Sequence, residues 1–246
     1  MITKDAQPIV SDKAQEIEKL LRSLVSYREK VSRKYQDAKR ERDDASDALM
    51  EKVKVGRFKR KEPDYIAASE RLDEKRAALD VEEKKLKAAK ESIRLTMAAY
   101  VAEMVRANAD TLIGECSRYK RTKGFVRRMA PTCGDFSCYI AGAEGYFPSP
   151  YINVYSSIDG CYRSIDCEIY LAHDGDIIGK DGEALPACKY QPGPTPDAIE
   201  SAASRLEEAR AIAKAAREAY SHEMDRVTGM LSALGRETIE AVKEGR

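Results

Sequence analysis

The chain has 246 residues, with 43 basic and 42 acidic side chains and a formal net charge of +1. Such a balance excludes a global polycation or polyanion, and the length suits one or two domains. With no Trp, 4 Phe and 13 Tyr, one large core is not expected.

The opening stretch, MITKDAQPIVSDK, holds no apolar leader. No segment approaches the ~18 apolar residues of a membrane helix. A cytoplasmic protein is therefore expected. Ser11 is suited to cap a first helix running to about Lys54. Ile17, Leu24, Val31, Ala38 and Ala45 recur every seven residues, with Leu21, Tyr35 and Leu49 in the matching second phase. Arg28 and Arg42 interrupt this seam on an otherwise charged helix.

The period breaks at VKVGRFKRKEPDY, where Gly56 ends one helix and Pro63 suits the first turn of the next. Leu72, Leu79, Leu86, Ile93 and Tyr100 resume the seven-residue interval, and Met97, Val101 and Met104 widen the stripe toward Leu112. The short connection makes the two helices antiparallel neighbours.

Residues 113–194 change pattern. Ile152, Val154 and Ile158 alternate with Tyr151, Asn153 and Tyr155. After Asp159-Gly160, a turn signal, Ile165, Cys167, Ile169 and Leu171 alternate with Asp166, Glu168 and Tyr170. This predicts a hairpin with one buried face. GFVRRM and SCYIA are candidates for further strands. Thr195 then caps a third helix with Pro196 in its first turn. Ile199, Leu206, Ala213, Tyr220, Val227 and Leu234 keep the interval of seven, and Ala202, Ala209 and Ala216 sit beside them.

The predicted fold class is α+β, mainly α. It is a long antiparallel coiled-coil stalk of three helices with a small β-rich head inserted between helices two and three. The domains are 1–112, the helical hairpin; 113–194, the head; and 195–246, the third stalk helix, which pairs within the chain or with another copy.

Two basic segments are candidate binding sites. RYKRTKGFVRRM contributes Arg118, Lys120, Arg121, Lys123, Arg127 and Arg128. Residues 115–128 hold six bases and one acid; residues 129–193 hold three bases and nine acids. Pairing between these two parts of the head is the plainer account of the charge, and a protein interface takes the cations left over. Phosphate contacts beside Tyr119 and Phe125 make nucleic acid the alternative. At the hairpin tip, Arg57, Phe58, Lys59 and Arg60 lie in the basic run 52–61. An exposed Phe there reads as a docking point, against the plainer reading of a solubilising loop. Tyr151, Tyr155, Tyr162 and Tyr170 share a strand face opposite the isoleucines. That face is either an interface or core covered by helix ends.

No chemistry-bearing constellation emerges. The six cysteines fall between Cys116 and Cys188. Only Cys133 and Cys138 approach zinc-ligand spacing, so buried reduced thiols are expected, with no metal. His173 and His222 are the only histidines and carry no local catalytic signature. HDGDIIGKDGE lacks the spacing of a calcium loop. The expected function is a non-enzymatic interaction protein without cofactor: a scaffold, adaptor or inhibitor whose head and tip bind protein partners, itself included as a homo-oligomer. The alternative is a nucleic-acid-binding accessory protein using residues 52–61 and 118–128.

Overall fold

The computed structural model describes residues 6–54, 63–111, 128–129, 132–133, 136–141, 151–158, 161–171, 177–178 and 190–243, with side chains placed in 6–53, 63–111, 128–129, 190–234 and at Arg236. Three helices dominate it: α1 (Asp12–Lys54), α2 (Pro63–Ala107) and α3 (Pro196–Lys243). Their starts follow local chemistry. Ser11 Oγ accepts the Ala14 N–H at 3.1 Å, and Thr195 Oγ1 accepts the Ala198 N–H at 3.3 Å. Each satisfies one of the amides a helix leaves without an internal partner. Pro63 and Pro196 open α2 and α3, where a missing N–H costs nothing.

The chain divides into two units, Met1–Glu200 and Ser201–Arg246. In the first, α1 and α2 pack antiparallel. Lys13 Nζ lies 3.1 Å from Glu103 and Lys75 Nζ lies 2.6 Å from Glu41, so the start of each helix meets the end of the other. Ile17, Leu21, Leu24 and Val31 of α1 are buried along one stripe. The second half of α2 is buried differently. Met97, Ala98, Ala99, Tyr100, Val101 and Ala102 are consecutive and all buried, so this part is enclosed on every side. Three alanines in that run let neighbouring backbones approach closely. Met129, Tyr190 and Ile199 complete the same core.

Polar side chains of α2 pin the flanking segments to this core. Ser92 and Thr96, one helical turn apart and fully buried, hold the segment before α3. Ser92 Oγ donates to the Pro194 carbonyl at 2.6 Å, and Thr96 Oγ1 accepts the Gly193 N–H at 3.0 Å. Gly193 is required there. A Cβ would collide with Ser92 Oγ and lie 2.6 Å from its Cα and 2.7 Å from its carbonyl oxygen. At the end of α2, Asn108 imitates a peptide group. Its Oδ1 accepts the Ile9 N–H at 2.8 Å, and its Nδ2 donates to Ile9 O at 2.9 Å and to Met104 O at 2.7 Å. One buried amide thus ends the helix and anchors the segment that precedes α1.

The predicted α+β class with a β-rich head is corrected by these findings. Of the residues whose side chains are placed, 90% are helical and none lies in a strand or sheet. The fold is mainly helical and bundle-like. Among the residues whose side chains are placed, the packed interior is supplied by the helices and their flanking segments, with the second half of α2 at its centre. Backbone pairing does join five segments in antiparallel order: β1 (Thr132–Cys133), β2 (Phe136–Ala141), β3 (Tyr151–Ile158), β4 (Cys161–Leu171) and β5 (Ile177–Ile178). Ile199, at the start of α3, belongs to the core of the first unit.

Candidate interaction surface

The first turn of α3 is held by a polar cluster. Tyr27 of α1 donates its hydroxyl to Glu200 Oε1 at 2.9 Å. Lys85 of α2 lies 2.9 Å from Glu200 Oε2 and 3.3 Å from Glu82 Oε1. Burial, then the Glu200 carboxylate, push the Tyr27 phenol well above its ordinary range. Burial alone would lower Lys85, but its two carboxylates outweigh that and raise it. Burial raises Glu200, and hydrogen bonds from Lys85 and Tyr27 outweigh that and hold it below the usual carboxylate range. A phenol that keeps its proton this firmly is a poor base near neutral pH. The cluster therefore works as a clamp that fixes where α3 starts.

Further along the hairpin the packing thins. Ala45 and Ala48 of α1 and Ala67 and Ala68 of α2 lie along a groove of about 660 Å³. Larger side chains at these positions would interdigitate and close it. The rim alternates in sign: Glu41, Asp44 and Asp64 against Lys52, Arg71 and Lys75. Glu41 is held below its ordinary range by the hydrogen bond from Lys75. Met50, Val53 and Ile66 are exposed on the same stretches of α1 and α2.

Among the described residues, the second unit carries a long run of exposed apolar side chains. From Ser201 it is one helix among the described residues. Tyr220, Met224, Val227, Leu231 and Leu234 are spaced four, three, four and three apart and are 37% to 68% exposed. That spacing is the one used by coiled-coil seams. Ile212 and Met230 are exposed as well. Scattered apolar residues on a surface are ordinary, whereas a contiguous stripe is not.

The sequence-predicted residues are placed as follows. Arg57, Phe58, Lys59 and Arg60 lie outside the described residues, as do Arg118, Lys120, Arg121, Lys123 and Arg127. Arg128 is exposed and donates to the Ala6 carbonyl at 2.8 Å, tying it to the segment before α1. For the tyrosines the backbone register alone is described: Tyr151 pairs with Tyr170, Tyr155 with Ser164 and Tyr162 with Ser157, with an irregularity between Asn153 and Tyr155. The cysteine side chains also lie outside the described set. Among the described residues no helix is long and apolar enough to cross a membrane.

Reading every seventh residue found Tyr220, Val227 and Leu234 but passed over Met224 and Leu231, which the alternating four-three interval would have included. The groove was missed too, although alanine at seam positions such as Ala45 was its visible sign. No protein-family model, curated protein or solved structure matches this chain.

Proposed function

We propose that this chain is a non-enzymatic interaction protein, a helical scaffold that presents α3 to protein partners. The observation that supports this reading is the apolar seam Tyr220–Leu234, five large side chains left open to solvent at coiled-coil spacing. A single helix has no way to bury its own stripe, and long helices draw most of their stability from packing such a face against a partner. The clamp around Glu200 suits the role, because it holds the first turn of α3, which belongs to the first unit. The open groove between the alanines of α1 and α2 supplies a second surface of mixed charge. The reading predicts that affinity capture from the native host retains specific partners, and that Leu231→Glu with Leu234→Glu strips them away while helicity by circular dichroism is unchanged. An unchanged partner set would refute the role of the seam.

A further inference from the structure

The seam of α3 has a preferred occupant. We infer that it pairs antiparallel with the same seam of a second copy of this chain. The inference rests on the scaffold reading and names the partner for that surface.

The charges beside and within the seam lead to this choice. Positions flanking the exposed apolar residues are Ala216, Ser221, Glu223, Thr228, Met230 and Gly235. A heteromeric coiled coil draws its partner choice from charges at such positions, and between Ala216 and Gly235 there is one. That one, Glu223, is already neutralised on its own helix by Arg226, whose Nη2 and Nε donate at 2.6 and 2.9 Å. Over this stretch a second identical helix therefore meets almost no like-charge penalty, and a charged partner finds little to complement.

Orientation follows from the seam toward the start of the helix. Continuing the three-four interval backward from Tyr220 places Arg217 and Arg210 in the seam. A parallel, in-register pair would set each arginine against its own copy. The antiparallel arrangement avoids this. With Met224 facing Val227 of the second copy, Tyr220 faces Leu231 and Arg217 faces Leu234, across which its aliphatic stem can lie. Helix dipoles also oppose in this orientation.

Size sets the strength. In this register the helices overlap over about 36 residues, ~54 Å at 1.5 Å per residue, and a helix is ~10 Å across. The shared strip is roughly 540 Å² per copy, or about 1,100 Å² in total. This sits at the lower bound of specific interfaces, so the pair is a weak, reversible dimer in the micromolar range.

The test is sedimentation equilibrium of the full chain between ~1 and ~100 µM. The wild type should pass from monomer to dimer across this range. Tyr220→Lys and Leu231→Glu should each weaken association at least about 100-fold, since each change acts twice in a symmetric pair. Mixed in equal amounts, the two variants should recover a dimer, because the lysine introduced at 220 then faces the glutamate introduced at 231. A wild type that stays monomeric at ~100 µM overturns the inference, and so does a dimer that survives both variants. Failure of the mixture to recover a dimer overturns the antiparallel register. If the chain stays monomeric but still captures partners through the seam, self-pairing is refuted and the scaffold reading stands.

Discussion

Gly193→Ala tests how tightly the segment before α3 is seated on α2. The added Cβ would lie 2.6 Å from Ser92 Cα and 2.7 Å from Ser92 O, both backbone atoms of a buried helix with little freedom to move. The protein then has two responses. It can keep the segment docked and accept overpacking, which costs ~1–3 kcal/mol, with the upper end expected where backbone is the obstacle. Or it can release the segment and lose the two hydrogen bonds of Ser92 and Thr96, at ~0.5–1.5 kcal/mol each, together with the burial of Tyr190 and Ile199, at ~1.5–3 kcal/mol for each large side chain. The docked response is cheaper, so the loss should be about 3 kcal/mol. In a chain of this size that lowers the melting temperature by roughly 6–12 °C. Ser92→Ala alone should cost only ~1 kcal/mol, because Pro194 is exposed and water can serve its carbonyl. Adding Ser92→Ala to Gly193→Ala should not rescue it, since Cα and the carbonyl remain in place. Urea denaturation followed by circular dichroism measures all three. A loss below ~0.5 kcal/mol for Gly193→Ala, or full rescue by the second change, would show the close approach to be misread.

Asn108→Ala should cost about 1–3 kcal/mol and abolish hydrogen-exchange protection of the Ile9 amide, which has no other described acceptor; persistent protection there would contradict the peptide-like role. Leu24→Ala, in a fully buried site of α1, should cost ~2–5 kcal/mol, while Leu20→Ala beside it, only partly buried, should cost clearly less by the same denaturation assay. Glu200 is held below its ordinary range when folded, so its contribution is present above the unfolded value of ~4.3 and is lost as pH falls through the folded one; Glu200→Gln should flatten the stability profile on that acid side. Tyr27 is raised when folded, so its contribution is present below the unfolded value of ~10 and declines as pH rises beyond it; Tyr27→Phe should remove the alkaline decline measured above pH ~10.

The parts of this architecture legible in the sequence are those set by local chemistry. Ser11 and Thr195 act as caps because a hydroxyl beside a helix start satisfies a nearby amide whatever the rest of the fold does. Ile17, Leu24 and Val31 are buried because a period of seven on a charged helix leaves one apolar side. The enclosure of α2 was only hinted at: Met97, Val101 and Met104 widened its stripe, but whether a wide stripe is a broad face or a wholly buried helix depends on what arrives from elsewhere in the chain. The groove and the clamp were hidden for related reasons. Tyr27, Lys85 and Glu200 are far apart in sequence and carry no shared motif. The alternation in 151–171 describes a strand pattern and carries no information on whether that pattern supplies the packed interior.

The polar pegs of α2 also impose an order on synthesis. Asn108 holds a partner 99 residues earlier, whereas Ser92 and Thr96 hold partners 102 and 97 residues later. When α2 has been made, the half of its surface that meets α1 can close at once. The face around Ser92 and Thr96 must wait for Gly193 and Pro194. At ~5–20 residues per second that wait lasts roughly 4–17 s. For that interval the nascent chain carries an open, largely apolar helix face with two unpaired hydroxyls. It is then most exposed to chaperone capture or to pairing with a neighbouring nascent chain on the same message.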